Sequence, residues 1–139
     1  MQFVEVAVDS PGGSGRTFSY SVPVGMRLAA GQSVFVPFGS QSFQGIIFEL
    51  CDIPQVEQVR PVEGLIQDEA LLNDIQLQIA RWISRHYVCS LFDAASLMLP
   101  PGGHRKVVTW ITISDRYCLP SLTNYQTRIV DYVIEKGRV

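Results

Sequence analysis

Apolar and polar positions alternate through residues 2–8, placing Phe3, Glu5 and Ala7 on one face of a predicted strand and Val4, Val6 and Val8 on the other. The same short period predicts strands over residues 17–22, 33–37 and 42–51, with a further short one around 59–62. Turn formers fill the gaps. Residues 10–15 read SPGGSG, Pro23 and Gly25 make a Pro-x-Gly turn, and Gly39 with Ser40-Gln41-Ser42 gives a hairpin signal. Several short strands with close turns favour a small, mainly antiparallel barrel, closed or half-closed, because closure removes exposed edges.

From Asp68 the period lengthens to that of a helix. Asp68 is the expected cap, and Leu72, Ile75, Ile79, Trp82 and Ile83 recur at helical spacing as the expected buried face, with Trp82 in the core. Arg81 and Arg85 suit the carboxyl end of the helix dipole. Residues 91–99 predict a second short helix, stopped by Pro100-Pro101-Gly102-Gly103, which is the best domain boundary in the chain. Beyond it a strand is expected over 106–114. A helix follows, opened by the Thr123/Gln126 capping-box pair, with Ile129, Val130, Val133 and Ile134 on its apolar face and Lys136-Gly137 at its end. The expected class is therefore α+β. One domain spans residues 1–104, and residues 105–139 open a second whose remainder is absent.

Composition narrows the classes. With 47% hydrophobic and 17% charged residues the chain is globular, not disordered. No apolar run approaches the ~18–20 residues of a membrane span, and the first residues are no basic signal region, so a cytoplasmic protein without membrane contact is expected. Cys51, Cys89 and Cys118 are widely separated and odd in number, which suggests reduced, buried thiols rather than a disulfide framework or zinc site. A net charge of −2 with only 11 Lys and Arg argues against a protein that coats duplex DNA through many phosphates. It leaves room for a pocket that holds one nucleic-acid end. No nucleophile–base or metal constellation can be assembled; His86 and His104 stand without partners at ligand spacing. Gly12-Gly13-Ser14-Gly15-Arg16-Thr17 is no phosphate loop, since Ser10 and Arg16 stand where Gly and Lys are required.

One stretch is more specific. From Arg16 to Gly39 the chain reads RTFSYSVPVGMRLAAGQSVFVPFG: an aromatic strand, the Pro-x-Gly turn, and a strand ending Val36-Pro37-Phe38-Gly39. Gln44-Gly45-Ile46-Ile47 follows, then a helix ending near Tyr87, Ser90-Leu91-Phe92, and Leu99-Pro100-Pro101-Gly102. In this order and spacing the phrases resemble the amino-terminal domain of the primosomal replication protein N′ family, the bacterial replication-restart DNA helicases. TNYQTRIVDYVIEKGRV is similar to the first helix of that family's winged-helix domain, so the resemblance covers nearly the whole chain.

The resemblance implies a DNA-binding fragment that recognises the 3′ end of a nascent leading strand at a stalled fork, without sequence specificity. Its partners would be single-stranded or forked DNA with a free 3′ end and, through the full-length protein, other primosome proteins. ATP, Mg²⁺ and Zn²⁺ belong to the family's helicase core, whose motifs this chain lacks, so it is not expected to be an enzyme or to hold a cofactor. Residue by residue, Phe18 takes the place of the family's aromatic residue. Ser19 takes that of a polar residue reading the base edge, usually Asp. Gly39 is the glycine that lets a nucleotide approach the backbone, and Arg60 the basic residue meeting a phosphate or the terminal sugar. Arg16 would attract the phosphate backbone, while Tyr20 packs in the barrel. Without the resemblance, Ser19 is an outward strand residue, Gly39 a hairpin residue with positive φ, and Arg60 a solvated arginine. The alternative function is then a small β-barrel protein-interaction module with no nucleic-acid role.

Overall fold

The computed structural model describes residues 1–108, 110–114 and 121–139. These fall into two compact units, Met1–Val107 and Val108–Val139. The first is an α+β unit in which six strands form a half-barrel backed by two helices. β1 (Phe3–Val8), β2 (Phe18–Ser21), β3 (Ser33–Phe38), β4 (Gln41–Cys51), β5 (Arg60–Pro61) and β6 (Gly64–Leu65) assemble in the order β5-β2-β1-β4-β3-β6. All pairs are antiparallel except β2 with β5.

Both faces of β1 are covered, as its alternation requires. Val4, Val6 and Val8 enter the barrel interior with Tyr20, Leu28, Val34, Val36, Ile47 and Val62. Ala7 packs on the opposite side with Ile46 and Phe48, against Leu77 and Ala80 of α1 (Asp74–Tyr87) and Leu91, Phe92, Ala94 and Ala95 of α2 (Leu91–Ser96). The register between β1 and β4 slips after Glu5, which faces Glu49 while Val6 faces Ile47. Such a bulge bends the sheet. The segment after β5 then bridges the open side: the Val62 N–H donates to the Ser21 carbonyl, and the next N–H, of Glu63, donates to Phe35 across the mouth.

Asp68 does not cap α1. The N–H groups of Leu71 and Leu72 donate to the Gly31 carbonyl, and Gln32 Nε2 donates to the Asp68 carbonyl, holding this stretch against the loop before β3. Gly31 makes that docking possible: its φ is +88°, and a Cβ there would stand 1.9 Å from the Leu72 carbonyl oxygen. The helix starts instead at Asp74, capped by a reciprocal Asn73–Gln76 box. It buries Leu77, Ala80 and Ser84; of the expected stripe, Leu72 just before the helix joins the same core and Ile83 packs against it. Trp82 is 57% exposed and stacks on His86, and Ile75 and Ile79 also face solvent. Small residues on α1 and α2 let the layers approach closely, which a tryptophan in the same row would prevent.

Gln44, fully buried on β4, secures the segment after α2. Its Nε2 donates to Ser33 Oγ and to the Gly103 carbonyl, while its Oε1 accepts from the Arg105 N–H. The described residues of 106–114 form no strand, contrary to expectation. Ile111 and Val139 exchange backbone hydrogen bonds. α3 (Asn124–Lys136) carries the expected Thr123–Gln126 capping box and closes at Gly137, with Val133 buried. Cys51 and Cys89 are half-buried free thiols; Cys118 lies outside the described residues.

Candidate functional site

A cavity of about 320 Å³ opens beside the edge of β2. β5 pairs only with Tyr20 and Ser21, so the edge at Phe18 and Ser19 has no ladder partner. The curl of the sheet brings the β3–β4 turn to the same place. Tyr20 Oη donates to the Pro37 carbonyl at 2.8 Å, and the rings of Phe18 and Phe38 meet edge to face with centroids 5.0 Å apart. Arg60, the first residue of β5, extends Nη1 to the Gly39 carbonyl at 3.0 Å. Gly39 opens a two-residue hairpin turn with φ +62°, and nothing lies within 4 Å of where its Cβ would be.

The five residues selected from sequence, Arg16, Phe18, Ser19, Gly39 and Arg60, all line this cavity. Arg16 reaches it over the Phe18 ring, its guanidinium carbon 5.9 Å from the centroid. Two cations and three aromatic rings therefore line one space. Tyr20 is both core and wall.

Beneath β2 lies a buried carboxylate. Glu5, Ser19's partner across the β1–β2 ladder, accepts hydrogen bonds from Thr17 Oγ1 and Ser19 Oγ. Ser19 Oγ in turn accepts from the Gln55 N–H at 3.0 Å. The serine hydroxyl is thus spent on structure in both directions, and it pins the irregular chain after β4 onto β2. Burial pushes the Tyr20 hydroxyl up to about 12, with Arg60 opposing the shift and Glu63 adding to it. Burial also raises Cys51, reinforced by the charges of Glu5, Glu49 and Asp52. Among the described residues no group of three His, Cys, Asp or Glu could hold a metal ion.

Sequence reasoning passed over Phe38, Gln55, Val56 and Gln58, which complete the walls. Phe38 stood in the Val-Pro-Phe-Gly phrase, and a hairpin opposite an aromatic strand was signal enough to include it. The glutamines gave none. They sit in a segment without periodicity, placed by one hydrogen bond to a residue 36 positions away.

Comparison with known proteins agrees with the geometry. Residues 5–100 match the 3′ DNA-binding domain (3′BD) family of PriA. Replication restart protein PriA of Rickettsia felis is 26% identical over 121 residues, 86% of this chain and 19% of that protein. PriA of Synechocystis sp. is 28% identical over 102 residues, 70% of the chain and 12% of the relative. PriA of Buchnera aphidicola is 31% identical over 85 residues, 60% and 12% respectively. The chain spans no more than about a fifth of the length of these relatives. With its matched stretch running from the strand that carries Glu5 to the Pro-Pro-Gly-Gly segment, the chain belongs to the 3′ DNA-binding domain family of the replication restart protein PriA.

Proposed function

We propose that the cavity beside β2 receives the terminal nucleotide of a DNA strand with a free 3′ end, and that the chain is the end-recognising fragment of a replication-restart helicase. One observation carries this reading: Arg16, Phe18, Gly39 and Arg60 converge on a space at the small end of the range for ligand pockets. A base on the exposed part of the Phe18–Phe38 wall would gain about 1–3 kcal/mol from stacking, whatever its identity. Arg60 and Arg16 would meet the phosphate or sugar as charge-assisted donors. Gly39 leaves the backbone bare where the sugar would lie. On this reading the space takes a sugar ending in a hydroxyl in preference to one that carries a continuing phosphate chain. Ser19 acts by holding Glu5 and the Gln55 backbone in place.

Recognition on these terms is independent of sequence, as a stalled fork requires. Single-stranded and forked DNA with a free 3′ end would both be ligands. In a full-length protein the domain would orient an ATP-dependent helicase core on the fork and act with other primosome proteins in the cytoplasm. Residues 105–139 are read as the opening of a winged-helix domain.

Fluorescence anisotropy tests the proposal with one oligonucleotide ending in a 3′ hydroxyl and the same strand carrying a 3′ phosphate. Clear preference for the hydroxyl is expected. Equal affinity, or no binding to either, would favour a protein-interaction module instead.

A further inference from the structure

We infer that the side-chain amides of Gln55 and Gln58 read the edge of the terminal base, and that they make the site tolerant of all four bases. The inference rests on a terminal nucleotide entering this cavity. Most polar groups of the wall are already committed. The hydroxyls of Thr17 and Ser19 donate to Glu5, and Ser19 also accepts from the Gln55 N–H. The Tyr20 hydroxyl donates to the Pro37 carbonyl, and Arg60 Nη1 to that of Gly39. Arg16 lies over the Phe18 ring. Gln55 and Gln58 line the same cavity, are exposed, and have no side-chain hydrogen bond among the described residues. Arginine can only donate. These two amides are therefore the free side-chain groups of the wall that offer both a donor and an acceptor.

That pairing suits a reader without preference. Adenine and cytosine present amino donors, whereas guanine and thymine present carbonyl acceptors at the corresponding positions. An amide meets either kind by turning its end over. Gln55 is also anchored where a reader must be, because its backbone N–H is fixed to Ser19 on β2 beside the Phe18 ring. The hydroxyl of Ser19 is the positioning group, and the amide beyond it makes the contact.

The experiment uses the chain as it stands and oligonucleotides with a free 3′ hydroxyl ending in A, C, G, T or an abasic residue. The native chain should bind the four bases within about threefold and the abasic end about tenfold more weakly, one lost hydrogen-bonded contact being worth about that factor. Gln55→Leu/Gln58→Leu should lose about tenfold on all four bases and nothing on the abasic end, with an unchanged melting curve because both side chains are exposed. Equal losses on normal and abasic ends, or no loss in the double variant, would overturn the inference alone. If the native chain fails to distinguish a 3′ hydroxyl from a 3′ phosphate, the underlying end-binding reading falls, and this assignment falls with it.

Discussion

Arg60 is tied to Gly39: its Nη1 donates to the glycine carbonyl at 3.0 Å, joining the start of β5 to the β3–β4 turn across the mouth of the cavity. A tethered guanidinium still has four N–H donors and its full charge to offer a phosphate. Arg60→Gln should therefore weaken DNA binding and lower the slope of log affinity against log salt by about one, the signature of one lost phosphate contact. Arg60→Lys should restore the slope without restoring full affinity, because an ammonium cannot hold both the carbonyl and a phosphate in one plane. A salt titration of the three proteins decides it; an unchanged slope in Arg60→Gln would remove Arg60 from the interface.

Gly39 separates stability from binding. Its φ of +62° strains any side chain, asparagine less than most, and the space around the missing Cβ is open. Gly39→Asn should cost about 1–2 kcal/mol in urea unfolding through strain at the positive φ, too little to unfold the domain. In the same protein, affinity for a 3′ hydroxyl end should fall by an order of magnitude or more as the new side chain occupies the cavity. Full retention of affinity would mean that the nucleotide does not approach this turn.

Tyr20 gives a pH signature. Its hydroxyl is held protonated by burial up to about 12, whereas in the unfolded chain it titrates near its ordinary value of 10.0. Below pH 10 both states keep the proton and stability does not depend on this group. Between 10 and 12 the unfolded chain releases the proton while the folded one retains it, so stability falls as pH rises through that window. Tyr20→Phe should flatten the fall over pH 10–12 and cost about 1 kcal/mol at neutral pH through the bond to Pro37. Denaturant midpoints measured across this range test both, and an equally steep alkaline fall in Tyr20→Phe would assign the effect to another group.

The strands were legible because their information is local. The alternation of residues 2–8 assigned Val4 and Ala7 to opposite faces, and each went to its own core. The turn glycines marked the hairpin. The cavity was legible only through the resemblance, since nothing in the order of residues says that Arg60 will reach Gly39. That depends on the curl of the whole sheet. Asp68 shows the opposite failure: a good local cap was overruled by long-range bonds to Gly31 and Gln32, and the Asn73–Gln76 box set the start of the helix instead. Gln55 and Gln58 left no trace in periodicity because an irregular segment has no period.

Trp82 carries the sharpest disagreement between pattern and packing. By hydrophobicity it belongs to the core, yet it is 57% exposed, whereas Leu77 on the same helix is 5% exposed within the cluster between sheet and helices. Truncating a buried tryptophan costs about 3–5 kcal/mol, and truncating a buried leucine about 2–5. Trp82→Ala here forfeits little beyond its stack on His86, with rings 4.7 Å apart, so it should cost less than about 1 kcal/mol. Leu77→Ala should cost about 2–4 kcal/mol. The order of the two urea midpoints is the test. A Trp82→Ala protein less stable than Leu77→Ala would mean that α1 turns its other face to the sheet, and that Ile75 and Ile79 belong to the core with it.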